Sequence, residues 1–201
     1  MSSVVARISL IIGCVFALGA GCALLPPTNY TLPACTGLGT IVTLSLDTGT
    51  GGQPSPFGKV DPLWIGLSPR RDLFSTTRGI YAWYNPGSGP PRWIQFSQAG
   101  TPQPFVSAIY SYGARFALPQ HPNSYSSLTI KGRFAADNSA DMRLNGTLIA
   151  SCGPNCFGTL TTIPAPATSL FNLGQNLLWI DVNNQGGPSG LYVGAIVHAV
   201  C

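Results

Sequence analysis

The chain has 201 residues, only 8% of them charged, with six acidic residues against ten Lys and Arg for a formal charge of +4. That balance is too small, and its basic residues too scattered, for a nucleic-acid surface. With 45% hydrophobic residues beside 24 Gly and 18 Pro, it is no disordered tail, and the length suits one domain with its own core.

Residues 1–25 read as a targeting segment. Arg7 precedes the small and apolar run Ile8 to Leu25, which meets Pro26-Pro27. A basic flank, an apolar stretch and small residues near its end fit a secretory signal peptide. An uncleaved membrane anchor and a lipoprotein signal at Cys22 stay open, although Leu18 lies one position too far from that cysteine. A Pro-containing lead-in follows over 26–39, and the domain is expected over 40–201.

From there the pattern is strands and turns. Residues 40–50, TIVTLSLDTGT, place Ile41, Thr43 and Ser45 on one face and Val42, Leu44 and Leu46 on the other. Strand signals follow at 60–67, 79–84 and 92–96, with NPGSGPP between the last two as a loop. Residues 108–119 put Tyr110, Tyr112, Ala114 and Phe116 on one face. Residues 127–136 put Leu128, Ile130, Gly132 and Phe134 inward, with Thr129, Lys131 and Arg133 toward water. Asn145-Gly146 within 141–150 is a two-residue hairpin signal. Further strands are expected at 157–163, 177–182 and 191–200. No helical periodicity, repeat or domain boundary appears after residue 25. The expected fold is a single antiparallel β-sandwich of about ten strands.

Cys14 and Cys22 belong to the targeting segment, leaving Cys35, Cys152, Cys156 and Cys201. In an oxidising compartment four cysteines suggest two disulfides with three connectivities. The favoured one has a local clip, Cys152–Cys156, and a tie between the ends, Cys35–Cys201. A zinc site lacks a second paired motif or a well-spaced histidine.

The glycine-rich GGPSG run (186–190) invites a phosphate-loop reading. The residues after it alternate as a strand, whereas a phosphate loop opens a helix. A connection between two antiparallel strands is the better account. The aspartates are Asp47, Asp61, Asp72, Asp137, Asp141 and Asp181. Asp137 and Asp141 flank the turn ADNSAD, where such residues cap their own turn. Asp137, Asn138 and Asp141 also offer several oxygens at short spacing, a weak option for structural calcium and the only cofactor the sequence suggests. His121 and His198 lack any nucleophile or metal-ligand context and read as structural. No catalytic residue is expected.

The aromatic block is the main binding signal. Trp64, Trp83, Tyr84, Trp93 and Phe96 cluster with Asn85 and Arg92. Such rings either fill a core or lie flat against sugar rings with polar groups beside them. Two glycosylation sequons, at Asn29 and Asn145, matter only on a eukaryotic secretory route, and Asn145 on a hairpin turn is suitably placed.

The succession LSLDTGT, DPLWIGL, YAWYNP, YSYGARFALP, LTIKGRFAADNSADMRLNG and LGQNLLWIDVNNQGGPSGLYV resembles a secreted β-sandwich module of bacterial exported proteins, many with PEP-CTERM sorting tails. Its last part is also similar to the G-x-N-x-L strand start of galactose-binding-like jelly rolls attached to glycosidases. The resemblance covers roughly 40–197. This chain lacks the Pro-Glu-Pro, apolar helix and basic tail of PEP-CTERM proteins, so sorting by that route is not implied. The resemblance implies an all-β, galactose-binding-like jelly roll, exported to the cell surface or medium and non-catalytic. The expected ligand is carbohydrate or a cell-surface polymer, not nucleic acid, held by Trp83, Tyr84, Trp93, Asp137 and Asn138. A structural jelly-roll subunit of a surface layer, fibre or virion coat is the alternative.

Overall fold

The computed structural model describes residues 30–49, 60–68, 70–76, 84–85, 91–97 and 104–201, with backbone alone for 68 and 70–76. The targeting segment, Asn29 and Trp83 lie outside them. Strands alternate with turns throughout. They are β1 (Ile41–Ser45), β2 (Val60–Ser68), β3 (Arg70–Thr76), β4 (Trp93–Gln95), β5 (Pro104–Phe105), β6 (Ala108–Leu118) and β7 (Ser127–Asp137). After these come β8 (Ser139–Leu144), β9 (Thr147–Cys152), β10 (Thr161–Thr162), β11 (Gly174–Asn184), β12 (Gly187–Pro188) and β13 (Gly190–Val200). Two single-turn 3-10 pieces, Pro122–Ser124 and Thr168–Leu170, complete the described elements.

One hydrogen-bonded path runs β10-β7-β13-β4-β3-β2-β6-β11-β8-β9, with β1 added on β13. Every strand pairing in it is antiparallel. Its two longest ladders are β6 with β11, from Leu118↔Gly174 to Ala108↔Asn184, and β7 with β13, from Asp137↔Gly190 to Ser127↔Val200. The period-two pattern explains why they face each other. Tyr112, Phe116, Met142, Leu178 and Ile180 turn in from one wall, and Ile130, Phe134, Val193 and Val197 from the other, into a single core. Complete burial of a ring such as Phe116 contributes up to about 3 kcal/mol. The fold is an antiparallel β-sandwich.

Several expectations change at this level. Residues 70–76 form a strand that the sequence pattern does not single out, because Arg70, Arg71 and Asp72 mask it. Of 157–163 only Thr161–Thr162 pairs. Thr129 is buried, not water-facing. ADNSAD is no hairpin. β7 pairs with β13 and β10, whereas β8 pairs with β11 and β9, so residues 137–139 carry the chain from one wall to the other, across a cis Asp137–Asn138 peptide. Residues 184–190 make the return crossing. β11 and β13 do not pair with each other, and Gly187 and Pro188 pair instead with Phe105 and Pro104. The two corners are fastened together, Asn138 N–H donating to the Asn183 carbonyl at 3.2 Å.

The disulfides are Cys35–Cys201 and Cys152–Cys156. The first ties the lead-in to the end of β13, where Cys201 also exchanges backbone hydrogen bonds with Gly39 and Thr40. The Asn145-Gly146 hairpin joins β8 to β9 with φ of 50° and 90° at its two residues, as a type I′ turn requires.

Candidate ligand-binding site

The structure brings Trp93 and Tyr84 together but spends both on contacts within the protein. Trp93 is fully buried, its indole N–H donating to the Tyr84 carbonyl at 3.0 Å. Trp93, Ala135 and Tyr192 form a small second core on the outside of the β7–β13 wall, with Tyr84, Phe157 and Leu160 packed against it. The Tyr84 ring meets Tyr192 edge-on at 5.4 Å. Trp93 therefore offers no ring face to a sugar, and Tyr84 spends its contacts on the protein. Trp64 is likewise sealed, its Nε1–H donating to the Leu46 carbonyl at 2.9 Å.

Asp137 and Asn138 serve the corner. Asp137 is only 4% exposed. Asn138 accepts from Gln185 N–H through Oδ1 at 2.7 Å, and its carbonyl accepts from Cys156 N–H at 3.1 Å. Asp141 points elsewhere, onto the outer face of β8. Asn138 thus serves the corner, whereas Asp141 accepts from Ser151 and Arg143 on the sheet. Among the described residues no group of three or more His, Cys, Asp or Glu gathers at one point.

Asn145 is also committed. Its side-chain N–H groups donate to the Leu170 carbonyl and to Asn176 Oδ1, both at 2.8 Å, and its Oδ1 accepts from Leu177 N–H at 2.9 Å. A glycosylated Asn145 loses part of this set, so the expectation that its turn suits it for a glycan is corrected. His121 accepts from Asn123 N–H at 3.2 Å, a structural turn contact.

What the fold brings together instead is a row across the outer face of four strands. Register places Ser111 of β6 beside Asp181 of β11, Asp181 beside Asp141 of β8, and Asp141 beside Ser151 of β9. Asp181 Oδ1 accepts from the Ser111 hydroxyl and, at 2.7 Å, from Trp179 Nε1–H. Asp141 accepts from Ser151 Oγ at 2.7 Å and forms an ion pair with Arg143 at 3.2 Å. These groups border a pocket of about 360 Å³, whose walls include Ile109, Ser139, Asp141, Arg143, Asp181 and Asn183. The Nε1 bond to Asp181 brings the half-buried Trp179 indole to its rim.

The volume lies in the range of small-molecule sites. Carboxylates accept hydroxyl protons, a guanidinium and an amide donate, and an indole supplies a flat apolar face. Trp179, Asp181 and Asn183 alternate on one face of β11, a signal present in the sequence. Their meeting with Asp141 and Arg143 depends on register, which the sequence does not display.

No protein-family model and no curated protein matches the sequence. Among solved structures the chain is similar to a β-glucuronidase from an uncultured Clostridium sp. (TM-score 0.44, 15% identity, covering 80% of this chain and 29% of that one). It is also similar to an α-L-rhamnosidase of Streptomyces avermitilis solved with L-rhamnose (TM-score 0.43, 16% identity, 80% of this chain and 16% of that one). A family 35 carbohydrate-binding module from an environmental isolate gives a TM-score of 0.29 at 14% identity, over 69% of this chain and 98% of that one. The chain thus spans less than a third of either glycosidase. These likenesses concern the all-β architecture.

Proposed function

We propose that this protein is an exported, non-catalytic binding domain whose ligand is a carbohydrate or a sugar-bearing cell-surface polymer, held on the outer face of β6, β11, β8 and β9. The observation that carries the reading is the pocket beside Trp179, in which Asp181, Asp141, Arg143 and Asn183 present acceptors and donors on one open sheet face. Sugars need that combination, because each hydroxyl both donates and accepts while the ring C–H face is apolar. Export is supported by residues 1–25, read as a signal or anchor, and by the two disulfides, which persist in oxidising compartments.

A glycan array with the intact chain, repeated with Trp179→Ala and Asp181→Asn, tests the reading. Asn at 181 keeps an acceptor oxygen for Ser111 and Trp179 while removing the charge, so binding is expected to weaken with the fold intact. Unchanged binding in both variants overturns this site. The coat-subunit alternative draws on exposed Val106 and on Ile109 in the wall of the same pocket, 75% and 62% accessible. Size-exclusion chromatography separates the two, a monomer favouring the binding domain and ordered assemblies the coat.

A further inference from the structure

The opposite wall carries a second concavity, of about 420 Å³, on the outside of β7 and β13. Its centre is kept low by glycine. A Cβ at Gly194 would lie 2.9 Å from Pro91 Cγ, and one at Gly132, where φ is +155°, would lie 2.2 Å from the Gly194 carbonyl oxygen. Any side chain at either position would fill or deform the trough. Pro91, Leu160 and Tyr192 give it apolar walls. Tyr192 is anchored from behind by Trp93 and Tyr84, at ring separations of 5.9 and 5.4 Å. Burial pushes the Tyr192 hydroxyl up to about 12, so it stays a neutral donor.

Lys131 and Arg133 stand at this trough, both exposed and on the same face of β7. Two positions along a strand span roughly 7 Å, close enough for both cations to reach one carboxylate. Neither makes an ion pair among the described residues, where Arg143 is paired with Asp141. The acid in the groove, Asp47, is turned into the backbone, its Oδ1 accepting from Ala195 N–H at 3.0 Å. A pair of cations beside an apolar trough suits a ligand with one localised negative charge and an apolar face, not a continuous phosphate backbone, which calls for a longer basic stripe.

We infer that this groove is a second binding site, for an acidic saccharide unit whose carboxylate meets Lys131 and Arg133 and whose ring lies against Leu160 and Pro91. The saccharide class rests on the reading of the Trp179 pocket; the place and the charge preference rest on the groove alone.

Isothermal titration of the 201-residue chain with a galacturonate pentamer, and with the same pentamer methyl-esterified, tests the inference. The acid form is expected to bind, and the ester to bind about tenfold more weakly or worse, since it keeps the shape and loses the charge. Lys131→Gln/Arg133→Gln, two exposed changes whose folding is checked by circular dichroism, is expected to weaken the acid form by about tenfold or more. Equal binding of acid and ester, no binding of the acid form, or an unaffected Gln/Gln variant each overturns the inference. Loss on Trp179→Ala with the Gln/Gln variant unaffected would place the acidic ligand in the Trp179 pocket, rejecting the groove while supporting the first site.

Discussion

Replacing Asn176 by Ala perturbs a buried amide that makes four hydrogen bonds. Asn176 is 2% exposed at the start of β11. Its Oδ1 accepts from Asn172 N–H and from Asn145 Nδ2–H, both at 2.8 Å, and its Nδ2 donates to the carbonyls of Asn172 at 2.9 Å and Gly174 at 3.1 Å. Four hydrogen bonds at a net value of about 1 kcal/mol each set an upper expectation near 4 kcal/mol. Water reaching the exposed Asn172 recovers part of that, so the expected loss is about 3 kcal/mol. Urea denaturation with the disulfides intact, followed by fluorescence of buried Trp64 and Trp93, measures it. Asn145→Gly removes the partner amide without straining the positive φ at 145. The double variant is expected to lose about 1 kcal/mol less than the sum of the singles, because one bond is shared. A loss for Asn176→Ala no larger than that of the exposed control Gln185→Ala, or strict additivity with Asn145→Gly, would refute the network.

Four other outcomes are expected. Expression through a eukaryotic secretory route yields no glycan at Asn145 in folded protein by peptide mass spectrometry, since its amide is bonded on both sides. Cys35→Ser/Cys201→Ser lowers stability by about 5 kcal/mol in the chain-entropy model and Cys152→Ser/Cys156→Ser by about 2, following their sequence separations of 166 and 4; equal losses in denaturant titrations would contradict this ordering. Burial holds the Asp47 and Asp61 carboxyls above the ordinary aspartate range despite the backbone N–H groups they accept from. The folded chain then keeps protons that the unfolded chain releases, so this contribution is full below about pH 4 and is lost as pH rises through the raised values. Tm is expected to fall across that window, and Asp47→Asn to flatten the slope. Finally, Gly194→Val lowers Tm by crowding Pro91, and calorimetry at neutral pH checks it.

Much of the fold was legible because burial writes itself into alternation. The inward sets of β6 and β7, Tyr110 to Phe116 and Leu128 to Phe134, follow from period two alone, and the Asn-Gly turn follows from the positive φ that only such residues adopt readily. Of the three connectivities open to the four cysteines, the favoured one, Cys35–Cys201 with Cys152–Cys156, is the one the structure holds. The candidate site was legible only in pieces. An aromatic cluster in sequence looks the same whether it faces water or a second small core, and Trp93 proved to be core because β13 lays Tyr192 beside it. Asp137 and Asn138 looked like a turn tip, yet the chain changes walls there, which buries one and ties the other.

The inward faces of the long strands and the β8–β9 hairpin were thus determined by the sequence itself, since each depends on local periodicity or residue chemistry. Which strands lie side by side was decided only in the tertiary structure. Period two assigns a face to each residue but says nothing of the neighbouring strand. Ser111 meets Asp181 across 70 positions and Asp141 meets Ser151 across 10, and the row they form exists because register, fixed by packing of the opposite face, aligns four strands at once.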